Sequence, residues 1–204
     1  MPALKSLAPD TLEFEALALD VQGQPVPVMH SDGSFALLFD DPDPQRLAKL
    51  AETMTRPFPA GLWLPVGMLV ANPAFVAAPL QQLFGATAYH GTVIWSWQHA
   101  LLAAGLNRQL ARTDLPASTR ALLLSARQRL WNSIRATASL QNSELWSWSF
   151  ASGAYHAEPY AQGADESNAA QLWSTAFLAW APQAPRLGTP FAEVLASAPS
   201  QAQP

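Results

Sequence analysis

The spacing of apolar residues changes its period several times along the chain, and each change marks an element. Leu12 to Asp20 alternates in part, which predicts a strand closed by a turn at Gln22-Gly23-Gln24-Pro25. Val26–Met29 and Phe35–Phe39 read as further short extended pieces around a Ser31-Asp32-Gly33-Ser34 turn. Asp43-Pro44 starts a helix that runs to about Thr55, with Leu47, Leu50, Ala51 and Met54 as its apolar stripe. The proline-rich run from Pro57 to Pro79 cannot be one helix and reads as loop with short turns.

From Thr92, the expected cap, a second helix extends to about Arg112. Between Val93 and Leu106 it is apolar on every side except at Ser96, Gln98 and His99, so other elements must enclose it. Asp114-Leu115-Pro116 opens the next helix, which reaches about Leu140. Leu123, Ala126, Leu130 and Ile134 share one side of it, with Arg120, Arg127 and Arg135 elsewhere. That pattern predicts an outer helix, antiparallel to its predecessor because the linker is short. Glu144 to Phe150 alternates strictly and predicts an extended segment turning at Ser152-Gly153, followed by loop from Tyr155 to Asp165. Ser167-Asn168 caps a last uncharged helix from Ala169 to about Ala181, ended by Pro182. The chain thus divides into a lead-in (1–12), one domain (13–182) and a tail rich in proline and alanine (183–204).

Composition sharpens this picture. The 204 residues are 50% hydrophobic and only 13% charged, well below the roughly 25% usual for globular domains, so much of the surface is expected to meet other protein. A net charge of −4 gives no electrostatic footprint for nucleic acid. With no cysteine there is no disulfide, thiolate metal site or cysteine nucleophile. Residues 1–10 lack an uninterrupted apolar core, which argues against a secretory signal and for a cytoplasmic chain. No Asp, Glu, Lys or Arg lies between Pro57 and Asn107. Pro65, Gly67, Asn72, Pro73 and Pro79 nonetheless interrupt the stretch, and it is not read as a membrane span.

Two short blocks are distinctive: Ala88-Tyr89-His90-Gly91-Thr92-Val93-Ile94-Trp95-Ser96-Trp97 and Ala170-Gln171-Leu172-Trp173-Ser174-Thr175-Ala176. With Ala16–Asp20 and Ser31-Asp32-Gly33 upstream, their order resembles the C-terminal half of glycoside hydrolases built on an (α/α)6 toroid. The nearest relatives are the amylo-α-1,6-glucosidase part of glycogen-debranching enzymes and, more distantly, glucoamylases. The resemblance implies a mainly α fold, a partial six-hairpin toroid with a few short antiparallel strands. It also implies an α-glucan substrate and no cofactor or metal.

Glycoside hydrolysis uses two carboxyl groups, about 6.5–9.5 Å apart when a water must fit between base and sugar. In glucoamylase-like relatives the base is the glutamate of a Glu-X-Tyr segment shortly before the last inner helix, and Glu158-Pro159-Tyr160 stands there in this chain. Without the resemblance, Glu158 reads as a solvated loop acid. The general acid is expected upstream, in a half this chain does not contain. Glu144, opening the tryptophan-rich segment, is the rival base, whereas Glu166 suits the helix dipole. Trp95, Trp97 and Trp148 either line a sugar-binding cavity or fill the core, since flat indoles suit both. Tyr89, His90 and Gln98 cluster at the mouth of the helix, where hydroxyl, imidazole and amide groups can meet sugar hydroxyls. The four histidines show no metal-ligand spacing. The alternative is a non-catalytic helical module whose uncharged faces dock on a complementary half, on another chain or on a second copy.

Overall fold

The computed structural model describes residues 12–141, 143–160 and 172–173. Strand β1 (Ala16–Leu19) pairs antiparallel with β2 (Pro25–His30) across a turn that the Asp20 carboxylate closes on the Gln22 and Gln24 amides. Helices α1 (Gly33–Phe39) and α2 (Pro44–Thr55) follow, with Pro44 in the first turn of α2 and the Asp43 carboxylate accepting from the Gln45 and Arg46 amides. Those bonds satisfy two of the orphan donors of the first turn and hold the Asp43 carboxyl below its ordinary value of 3.8.

The proline-rich stretch pairs in short pieces rather than coiling. Strand β3 (Trp63–Leu64) meets β4 (Gly67–Met68), and β5 (Ala71–Asn72) joins β2. Asn72 ties this stretch together: its amide donates to the carbonyls of Pro59 and Gly61, and its oxygen accepts from Ala74. After α3 (Ala78–Gln82), the chain passes through β6 (Ile94–Trp95) into α4 (Ser96–Leu110) and α5 (Ala117–Ala136). A two-residue turn with positive φ at both Ser152 and Gly153 joins β7 (Leu145–Ala151) to β8 (Ala154–Pro159), the geometry that matches the right-handed twist of a hairpin.

Backbone bonds knit these short sheets into a wall. Ser31 donates to the Val70 carbonyl, Val70 to Val93 and Ala71 to Gly91, so β1-β2-β5 continues through residues 91–95 into β7-β8. Helix α4 lies against α1, where Gly105 lets the backbones meet: a Cβ there would come within 2.8 Å of Leu37 Cβ. The Gln109 amide crosses to the Leu37 and Asp40 carbonyls, satisfying the last turn of α1. Leu123, Ala126, Leu130 and Ile134 of α5 are buried, as their spacing predicts, in the main core with Leu47, Leu50 and Met54 of α2.

The expected mainly α toroid is overturned. Helix takes 43% of the described residues and strand 21%, in three small antiparallel sheets, a mixed α/β arrangement. Particular segments account for the difference. Val93–Trp95 is extended because it pairs with Val70 on one side and with Leu145–Trp146 on the other, so the helix begins at Ser96 rather than Thr92. Residues 154–159, read as loop, form the second strand of a hairpin. Phe35–Phe39, read as extended, is helical, with Phe35 carried onto Trp97. Leu172 and Trp173 are helical, while the rest of the predicted last helix and the tail lie outside the described residues. Among the described residues no helix is long and apolar enough to cross a membrane.

Candidate functional site

The β6-β7-β8 sheet has two faces. On one, Trp146 and Trp148 of β7 alternate inward with Tyr155 and Ala157 of β8, against the main core. On the other lie Trp95 of β6, Leu145, Ser147 and Ser149 of β7, and Glu158 of β8, with Tyr160 just beyond. Strand alternation alone produces this sorting.

The second face carries the candidate residues. At its buried end Trp97 is stacked between Phe35, with ring centroids 6.0 Å apart and planes 10° apart, and Trp95, at 4.8 Å and 21°. Trp173, 45% exposed, lies 4.7 Å from Trp97 with its plane tilted by 34°. Tyr89 and His90 surround Trp95 at 5.1 and 5.0 Å, and the Trp95 indole donates to the Tyr89 carbonyl. The ring faces of Trp97 are therefore committed to other rings. The quadrupoles of such rings favour offset and tilted contacts of this kind.

Two carboxylates meet this face. Glu144, 3% exposed, is held where the chain enters β7: its carbonyl accepts from the Ser96 amide at 2.9 Å, and its carboxylate accepts a hydrogen bond from the Tyr89 hydroxyl. Ser96 fixes this corner further by donating its hydroxyl to the carbonyls of Ser143 and Glu144. Glu158 is exposed, opposite Ser147, and accepts from the Ser149 hydroxyl at 2.6 Å. Water thus reaches Glu158 directly, and the serine restricts the rotamers of its carboxylate.

The other predicted residues fall elsewhere. Gln98 is wholly buried, with its amide oxygen taken by the Ser31 hydroxyl at 2.9 Å. Trp148, on the opposite face, donates to the Thr92 carbonyl and packs edge-on against Phe58 and Tyr155. Three contributors escaped the sequence reading. Phe35 could be found only by recognising α1. Ser149 needed the β7-β8 register, and Trp173 sits in a block whose motif was legible but whose partner, Trp97, was not.

His99 is wholly buried, and its burial has an electrostatic consequence. Its Nε2 accepts from the Met68 amide at 3.1 Å, and the ring stands edge-on to Trp146. Burial pushes its pKa from the ordinary 6.5 to about 3. The unfolded chain takes up this proton near pH 6.5 and the folded chain does not until about pH 3, so stability is present above pH 6.5 and falls with acidification across that window. The expected slope is about 1.4 kcal/mol per pH unit. Urea unfolding at pH 7 and pH 4.5 checks this: His99→Asn, which keeps an acceptor for Met68, should lose that part of the slope.

A cleft of about 290 Å³ lies apart from this face, between α2 and residues 13–15. Its cations are already engaged, Arg46 with Glu15 at 2.9 Å and Lys49 with Glu13 at 2.6 Å. Among the described residues no three His, Cys, Asp or Glu side chains are grouped to hold a metal ion. Neither a known protein family nor a curated protein sequence matches this chain.

Proposed function

We propose that the chain acts on saccharides of the α-glucan class, in hydrolysis of the amylo-α-1,6-glucosidase type. Glu158 is the residue that activates water, and cleavage needs in addition a general acid to protonate the leaving glycosidic oxygen, a role assigned to no residue of this chain. The observation that carries this reading is the placement of an exposed carboxylate, fixed by Ser149, on the same sheet face as a stacked aromatic row ending in half-exposed Trp173. A general base must reach both water and substrate, and a flat indole suits the apolar C–H face of a sugar ring. In this reading Trp173 and His90 contact the sugar, Trp95 and Trp97 support them from behind, and Glu144 is the inner carboxylate. A cytoplasmic location goes with it.

The test is a titration of the full chain with maltotriose and longer malto-oligosaccharides, followed by tryptophan fluorescence. Saturable quenching is expected, lost in Trp173→Ala and retained in Glu158→Gln. Where hydrolysis of α-1,6-branched glucans is measurable, Glu158→Gln should remove turnover and spare binding. Absence of any saturable response, together with self-association of the chain, would favour the docking module instead.

A further inference from the structure

The β6-β7-β8 sheet ends in an open edge at β8. Ala151 and Ala154 flank the two-residue turn and are partners, so they form the hydrogen-bonded pair that closes the hairpin. Alternation from there makes Ser149–His156 and Ser147–Glu158 hydrogen-bonded pairs too, whereas Tyr155, Ala157 and Pro159 turn their backbone groups away from β7. Pro159 fits this alternation, because its missing N–H falls on the side that β7 does not use. Among the described residues nothing accepts from the outward N–H groups of Tyr155 and Ala157. The edge strand of the other three-stranded sheet, β1, is blunted by a register shift between Ala16 and Ala18. Strand β8 keeps its register throughout, so its edge is a template for a further strand.

The side chains of β8 select the occupant. His156 and Glu158 are exposed and share one face, while Tyr155, Ala157 and Pro159 share the other. Antiparallel pairing of β8 with itself, centred on Ala157, sets His156 opposite Glu158 of the second copy and Tyr155 opposite its Pro159. A two-fold axis repeats both pairings, so this strand is complementary to itself in charge and shape, as a closed dimer requires. Each Ala157 N–H then meets the Ala157 carbonyl of the other copy, and each Tyr155 N–H meets a Pro159 carbonyl. Glu158 has a place for the new contact: Ser149 occupies its Oε1, and Oε2 takes no hydrogen bond from the described residues. We infer that the chain forms a two-fold dimer by antiparallel pairing of β8 with β8 of a second copy. Pairing takes up the sheet edge and leaves both faces open, so the inference goes beyond the saccharide reading and stands without it.

Sedimentation velocity of the full chain between about 5 and 500 μM tests it, because a single strand pair is a small interface that dissociates at micromolar or higher concentration. The sedimentation coefficient should rise from monomer to dimer and no further. Ala157→Pro removes a donor that the hairpin does not use, so it should abolish the dimer and leave the far-ultraviolet circular dichroism unchanged. His156→Glu sets carboxylates against each other, and Glu158→Lys removes the acceptor for His156. Each should weaken self-association about tenfold, and an equimolar mixture of the two variants should recover the dimer. That mixture decides the matter if Ala157→Pro fails to fold. A monomer throughout, association beyond the dimer, or a dimer left intact by folded Ala157→Pro or by both charge variants would overturn the inference. A monomer that binds malto-oligosaccharide would leave the saccharide reading standing, and a dimer that binds none would leave the inference standing without it.

Discussion

Trp146→Ala should lower the unfolding free energy by about 3–5 kcal/mol. Among the described residues Trp146 is the largest wholly buried side chain, and it does three things at once. Its strand position pairs with Ile94, its ring packs on His99, and its indole donates to the Val66 carbonyl at 3.1 Å. Alanine removes the apolar volume, leaves a cavity between α4 and the sheet, and strands the Val66 carbonyl without a donor. Urea unfolding followed by far-ultraviolet circular dichroism measures the change. A loss below about 1 kcal/mol would mean that the sheet and α4 can close over the gap. The wall between core and candidate site would then be softer than its packing implies.

Gly67→Ala is the second large effect, expected at about 2–5 kcal/mol. Gly67 has φ +137°, in the region that disfavours side chains, and a Cβ would fall 2.7 Å from Ile94 Cγ2 and 2.8 Å from His99 Cε1. Backbone strain and overpacking therefore add. Gly23→Ala separates the two: φ there is +74°, but nothing lies within 4 Å of the added methyl, so only the strain term, about 1 kcal/mol, should appear. Equal losses at the two glycines would show that His99 and Ile94 yield without cost.

Both substitutions fall in one corner of the molecule, where His99, Trp146 and Gly67 lock α4 to the sheet. Little of that corner was visible in the sequence. His99 stood out as one of three polar residues on an apolar helix, but its partner is a backbone amide in a proline-rich stretch with no periodicity to read. By contrast, α2 and α5 were legible because each is amphipathic and begins at a proline signal. The β7 strand was legible from strict alternation, whereas β8 was not: its Ala-Tyr-His-Ala-Glu-Pro sequence has weak strand character and is extended because β7 pairs with it. The same tertiary override moved the start of α4. Residues 93–95 carry a helical pattern, yet Val70 and Leu145–Trp146 offer them two sets of backbone partners. For the site, residue types were readable and faces were not. Glu158 was singled out by its place in a short motif, and only the Ser147–Glu158 register puts it on the face of Trp95.

The proposed function has saccharide bound on this face, in contact with Trp173 and Glu158. The most direct measurement is the indole region of ¹H–¹⁵N correlation spectra of the full chain during titration with malto-oligosaccharides. The eight tryptophans give separate reporters. Saturable shifts of the Trp173, Trp97 and Trp95 indoles are expected, with Trp63 and Trp146 unmoved. Silence at Trp173 and its neighbours at saturating oligosaccharide, or shifts confined to tryptophans on the opposite face, would contradict it.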